Sequence, residues 1–237
     1  MVDLSLFDKR LRCHLYEDMA AVARVTMEWI IRDADSALRR RGAFHLVLAG
    51  GSTPKLAYQL LVDADTDWSR WHIYYGDERC LPVDDPERNS VMAQQAWLDH
   101  VAIPKEQIHP IPAELGAEAG AMNYAHLIEQ QLPFDTVLLG MGEDGHTASL
   151  FPGQLHDEQE LVHKVHNAPK PPSDRISLSR AALSTTRSLL LLVTGDSKQA
   201  ALTQWAEGAS LPVASIEPEC GIDLFLDKEA VGIVELP

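Results

Sequence analysis

Residues 140–153 read Gly-Met-Gly-Glu-Asp-Gly-His-Thr-Ala-Ser-Leu-Phe-Pro-Gly, which places Gly140, Gly142 and Gly145 just ahead of His146. Glycines at that density let a backbone bend tightly, and an imidazole titrates near neutral pH, so His146 is a candidate general base. A second cluster, Gly50-Gly51-Ser52-Thr53-Pro54, has paired glycines that permit close backbone approach to a ligand. A helix beginning there would offer free N–H groups to an anion, although an ordinary strand-to-helix turn with Ser52 or Thr53 as N-cap is the plainer alternative. The spacing fits neither a dinucleotide-binding fingerprint nor a P-loop. A third cluster, Gly76-Asp77-Glu78-Arg79, sets three charges in a row that need solvent or a ligand, with a surface turn as its alternative. Arg175 and Lys198, the latter within Thr194-Gly195-Asp196-Ser197-Lys198, would both suit a phosphate, with a plain surface charge as the commoner reading of either one taken alone.

Each of these groups adjoins a short apolar run. Residues 44–49 precede Gly50, 71–75 precede Gly76, 136–139 precede Gly140 and 189–193 precede Thr194, while Arg175 opens the run 175–178. Such runs, bounded by glycine or turn residues, predict buried strands. Ala23, Met27, Ile30, Ile31, Ala34 and Leu38 recur at helical spacing and predict an amphipathic helix over residues 19–38. Further helices are expected near Leu56, Leu60 and Leu61 and over residues 90–100, 119–131 and 196–207, with further strands at 161–166 and 222–226. Strands alternating with helices imply an open, Rossmann-like α/β fold: a mainly parallel sheet flanked by helices, in a single domain spanning 1–237. Ligands of such sheets bind beyond the carboxyl ends of the strands.

With 35 acidic against 20 basic residues, the 237-residue chain carries a formal charge of −15, which argues against nucleic acid or an anionic membrane as a partner. An anionic ligand would need a few local cations to outweigh that field, as salt screens exposed charges beyond about 8 Å. Cys13, Cys80 and Cys220 lack C-x-x-C spacing, so neither a disulfide framework nor a thiol-rich zinc site is expected, and a reducing cytoplasm fits. Residues 1–12 lack the apolar core of an export signal. His163 and His166 on one strand would point to opposite faces, so they and His156 are assigned no metal. Cys80 has no paired base and is assigned no nucleophilic role.

In order, Ala49-Gly50-Gly51-Ser52-Thr53-Pro54, Gly76-Asp77-Glu78-Arg79-Cys80-Leu81-Pro82, the stretch 140–152 and Thr194-Gly195-Asp196-Ser197-Lys198 resemble the glucosamine-6-phosphate isomerase/6-phosphogluconolactonase family over residues 15–228. Asp-Glu-Arg followed by Leu-Pro, and His-Thr-Ala-Ser-Leu-Phe-Pro, are similar to the lactonase branch; deaminases typically carry Asp-Glu-Tyr and His-Ile-Ala-Phe-Asn-Glu-Pro there. Arg88 stands where the family often has serine, before Asn89, and Cys80 where an aromatic residue is frequent. The resemblance implies hydrolysis of 6-phosphogluconolactone in the oxidative pentose phosphate pathway without metal or organic cofactor, a phosphorylated sugar lactone as the partner, a monomer or weak dimer, and Asn89 near the pocket.

A compatible mechanism has His146, oriented by Asp144 or a backbone carbonyl, activating a water. Arg79 and glycine N–H groups would stabilise the oxyanion, with Asp77 holding Arg79 or a sugar hydroxyl, and Gly142 and Gly145 would help bind the substrate. The Gly50–Thr53 segment, through the amides of Gly51, Ser52 and Thr53, would hold the phosphate with Arg175 and Lys198. The alternatives are a glucosamine-6-phosphate deaminase with Asp77 as base and a sugar-phosphate-binding protein without turnover.

Overall fold

The computed structural model describes residues 1–8 and 10–233. Strand β1 (Leu11–Tyr16) leads into helix α1 (Met19–Arg41), which buries Val22, Thr26, Ile30, Ala34 and Leu38 along one stripe. Asp18 caps α1 by accepting from the Ala21 N–H at 2.8 Å, and Gly42 closes it at φ +82°, a left-handed conformation that glycine adopts without steric penalty. There follow β2 (Phe44–Leu48), α2 (Ser52–Leu61), β3 (Trp71–Tyr75), β4 (Asp77–Arg79), α3 (Asn89–Ala96), α4 (Ala117–Ile128) and β5 (Thr136–Gly140). The rest comprises β6 (Val162–Val165), β7 (Arg175–Leu178), α5 (Arg180–Ser184), β8 (Leu189–Val193), α6 (Gln199–Ala206), β9 (Ile222–Asp227) and α7 (Lys228–Val231).

Six strands form a parallel sheet in the order β1-β9-β8-β5-β2-β3. All five residues of β8 are buried, as expected for a strand covered on both faces. The chain runs outward from β2 to β3 and then crosses to β5 on the other side of β2, so the strand order reverses between β2 and β5. That reversal opens a crevice at the carboxyl ends of the strands.

The apolar runs at 161–166 and 175–178 are strands, but they do not extend the parallel sheet. As β6 and β7 they pair antiparallel with β4 in the order β4-β7-β6. Gly76 is the corner between the two sheets: its N–H donates to the Leu48 carbonyl of β2 at 2.9 Å, and its own carbonyl accepts from Leu178 of β7 at 2.8 Å. Val162, Ile176 and Leu178 join the same buried cluster as Leu138 and Leu190, so both sheets share one core and the fold is a single domain.

The helix expected over 90–100 stops at Ala96 and is followed by a 3₁₀ turn, Leu98–His100. The one expected over 196–207 opens with the 3₁₀ turn Asp196–Lys198 before α6. Sequence periodicity missed β1 because it is an edge strand interrupted by Arg12 and His14. These satisfy Asp223 on neighbouring β9, Arg12 through Nε at 2.9 Å and Nη2 at 2.7 Å, His14 through Nε2 at 2.8 Å. Among the described residues no helix is long and apolar enough to cross a membrane.

Candidate active site

Beyond β2 the backbone turns at Gly51, whose φ of +111° favours glycine and which serves as the N-cap of α2 with no side-chain cap. Ser52 and Thr53 lie inside the helix, so neither is the N-cap. The Thr53 hydroxyl instead pairs with that of Thr194 at 2.6 Å, tying the start of α2 to the loop after β8. The first turn of α2 therefore presents N–H groups and a positive dipole end that no side-chain cap satisfies.

Beyond β5, the loop curls back on itself through Gly142 N–H to the His146 carbonyl (2.8 Å), Gly145 N–H to the Gly142 carbonyl (3.1 Å) and Thr147 Oγ1 to the Gly140 carbonyl (2.8 Å). This folding brings Asp144 Oδ1 to 2.5 Å from His146 Nδ1 and 3.2 Å from the His146 N–H. Burial disfavours the Asp144 carboxylate, but the hydrogen bonds from His146 outweigh it and hold the carboxyl below its ordinary range. The Phe151 ring packs against the imidazole with centroids 4.7 Å apart. A Cβ at Gly142 would stand 2.0 Å from His146 Nδ1, so the imidazole position requires glycine there. With Nδ1 engaged by Asp144, Nε2 makes no hydrogen bond to the described residues, and the side chain is 20% exposed. That arrangement suits the tautomer in which Nδ1–H donates to Asp144 and the lone pair sits on Nε2.

The charges that follow β3 divide their roles. Glu78 needs neither solvent nor ligand: it is fully buried, accepts from the N–H groups of Arg79 (2.9 Å), Asn89 (2.7 Å) and Ser90 (2.9 Å), and lies 3.4 Å from Arg88 Nε. Arg88 itself is buried and structural, also pairing with Glu114 at 3.0 Å. Asp77 makes no ion pair with Arg79; its oxygens accept from Asn89 Nδ2 at 3.0 Å and Ser149 Oγ at 2.6 Å. Arg79 Nη1 donates to the Glu87 carbonyl at 2.5 Å, while its buried Nε has no partner among the described residues.

Register places Arg79 directly opposite Arg175 across β4 and β7. Arg175 is almost fully buried and donates to the carbonyls of Lys170 (3.0 Å), Pro171 (3.1 Å) and Pro172 (3.2 Å). Like charges directly opposite on paired strands repel, and an anion between them relieves that repulsion. Burial pulls the pKa values of Arg175 and Lys198 down, and Lys198 makes no ion pair with the described residues. Burial also pushes the Cys80 thiol up to about 11, so it is not an activated nucleophile.

These elements enclose a cavity of about 340 Å³, within the size range of small-molecule sites. Gly50, Gly51, Asp77, Arg79, Asn89, Gly142, His146, Arg175 and Lys198 line it, as do residues to which the sequence attached no role: Glu143, Phe151 and Lys170. Ser52, Thr53, Asp144 and Gly145 adjoin lining residues in the chain but are not themselves part of the lining. Lys170 lies in the proline-rich stretch 168–173, and its ammonium is 3.7 Å from Glu143. The wall carries four cations, Arg79, Lys170, Arg175 and Lys198, against the carboxylates of Asp77 and Glu143, so the local balance is positive in a chain of formal charge −15. Among the described residues no group of three or more His, Cys, Asp or Glu could hold a metal ion.

The profile of the family described as glucosamine-6-phosphate isomerases/6-phosphogluconolactonase matches residues 17–225. The chain belongs to this family. Within the glucosamine-6-phosphate isomerase/6-phosphogluconolactonase family, it is 36% identical to the 6-phosphogluconolactonase of Mycobacterium leprae, covering 92% of this chain and 96% of that protein. The 6-phosphogluconolactonase of Haemophilus influenzae is 33% identical, with 90% and 95% covered. A crystal structure of 6-phosphogluconolactonase from Thermotoga maritima superposes with a TM-score of 0.86 at 28% identity, covering 92% of this chain and all of that one. A monomeric glucosamine-6-phosphate deaminase shares the fold, with a TM-score of 0.80 at 19% identity.

Proposed function

We propose that this chain hydrolyses 6-phosphogluconolactone to 6-phosphogluconate, acting as a carboxylic ester hydrolase in the oxidative pentose phosphate pathway. The observation that carries the site assignment is His146, bound through Nδ1 to Asp144 and with no hydrogen bond to Nε2 among the described residues, lining a cavity rich in cations. Asp144 accepts the Nδ1 proton, so Nε2 takes a proton from a water that attacks the lactone carbonyl. Arg79, whose Nε has no partner among the described residues, and glycine N–H groups of the 140–146 loop stabilise the tetrahedral oxyanion. As the ester bond breaks, the His146 imidazolium returns the proton to the departing ring oxygen; the carboxylic acid formed then ionises, releasing one proton per turnover. The first N–H groups of α2, with Arg175 and Lys198, hold the remote phosphate and thereby fix the carbonyl beside the water.

A cytoplasmic location and a monomeric working form belong to the same proposal, supported by three cysteines that are all free and by an acidic chain. A continuous proton-release assay on freshly generated lactone, corrected for spontaneous hydrolysis, tests the activity. Acid release well above the spontaneous rate is expected. Ammonia release from glucosamine 6-phosphate without lactone turnover would make the chain a deaminase, and binding of sugar phosphates without either reaction would make it a binding protein.

A further inference from the structure

Asp77 is a carboxylate in the cavity wall, only 7% exposed, with no cation within 4 Å among the described residues. A buried carboxylate is costly unless its oxygens are satisfied. Here two neutral donors satisfy it, one for each oxygen: Asn89 Nδ2 on Oδ1 at 3.0 Å and Ser149 Oγ on Oδ2 at 2.6 Å. An ionised carboxylate accepts about four hydrogen bonds, so each oxygen keeps spare capacity.

Both donors are held in place. Ser149 is fully buried, its N–H donates to Ser177 Oγ at 3.1 Å, and it follows Ala148, a non-glycine residue at φ +47°. That left-handed backbone is disfavoured for alanine and is kept only where the surroundings enforce it. Asn89 also donates through Nδ2 to the Asp77 carbonyl at 3.0 Å, and its Oδ1 packs so close to Gly50 that a Cβ there would stand 2.2 Å away.

From this geometry we infer that Ser149 and Asn89 are positioning residues that clamp Asp77 as a fixed acceptor for one sugar hydroxyl, and so determine specificity for a hydroxylated lactone. The inference rests on the proposed lactone hydrolysis and goes beyond it. The cations of the wall serve the phosphate and the oxyanion; Asp77 would repel both and fits a neutral O–H donor. A site built around such an acceptor rejects an analogue that lacks the hydroxyl, because the carboxylate then stays buried with fewer partners.

The test compares kcat/KM for 6-phosphogluconolactone with its 2-, 3- and 4-deoxy analogues, made by oxidising the corresponding deoxyglucose 6-phosphates. In the unmodified enzyme, removal of one hydroxyl should lower kcat/KM by about tenfold or more. In Ser149→Ala, that same penalty should shrink to about twofold while the other two penalties stay unchanged. Asn89→Ala should shrink the same penalty, which keeps the test available if one variant folds poorly by circular dichroism. A variant that turns over the parent lactone with all three penalties unchanged overturns the clamp alone, as does an unmodified enzyme indifferent to all three hydroxyls. Absence of any lactone turnover by the unmodified enzyme overturns the proposed function and the clamp with it.

Discussion

An imidazole becomes a directed base when its tautomer is fixed, and in the proposed mechanism Asp144, at 2.5 Å from Nδ1, plays that part for His146. The two cations proposed for the phosphate are anchored very differently. Arg175 donates three side-chain hydrogen bonds to the carbonyls of residues 170–172, whereas the Lys198 ammonium makes none to the described residues and the residue is only half buried. Lys198→Ala should therefore raise KM for the phosphorylated lactone by about ten- to a hundredfold, the range of a charge-assisted hydrogen bond, with a smaller change in kcat and little change in thermal stability. Arg175→Ala should raise KM as well but also lower the unfolding temperature, because the 170–172 carbonyls lose their donor. Steady-state kinetics paired with thermal unfolding separates the two. His146, Arg175 and Lys198 could be picked out in the sequence because each adjoins an apolar run. Ser149 and Lys170 could not be given a role: Ser149 lies within the 140–152 motif but donates to a carboxylate 72 residues away, a pairing no local pattern discloses, and Lys170 adjoins no apolar run.

At the scale of elements, the site depends on loops that must adopt one shape at the ends of β2, β3, β5 and β8. The 140–146 loop is the most constrained, since a methyl group at Gly142 would collide with His146 Nδ1 and approach Asp144 Oδ1 to 2.8 Å. Gly142→Ala should thus lower kcat by about 10²-fold or more, approaching the loss of the base itself, while the circular dichroism spectrum stays unchanged. Retention of full activity in that variant would show that the imidazole position is not critical. The central strands were legible because each is a continuous apolar run closed by glycine or a turn. The antiparallel β4-β7-β6 sheet was not, because apolar runs disclose strands but not the partner or direction of each. That choice is made by Gly76, which bonds β2 with its N–H and β7 with its carbonyl.

Over the whole molecule, the acidic surface and the cation-rich cavity set a field that favours an anion only locally. Far from the cavity, His45, His72 and His109 stack along β2, β3 and the segment beside it, with centroids 4.8 and 5.9 Å apart. Burial, reinforced by His72, lowers the His45 pKa to about 4, and burial lowers those of His72 and His109 as well. In the unfolded chain these rings titrate near 6.5, so between about pH 6.5 and 4 the unfolded state binds more protons and stability falls with acidification. His45→Gln should flatten that dependence by about 1–2 kcal/mol, allowing for solvent screening of a half-buried ring, as measured by urea unfolding across that pH window.

Everything proposed for catalysis converges on one side chain, so the most direct measurement is single-variant kinetics on freshly made 6-phosphogluconolactone, comparing His146→Ala with the unmodified enzyme by proton release. A fall in kcat of about 10²- to 10⁴-fold with KM nearly unchanged is the predicted result. A His146→Ala enzyme that hydrolyses the lactone at the full rate would contradict the assignment of that imidazole as the base.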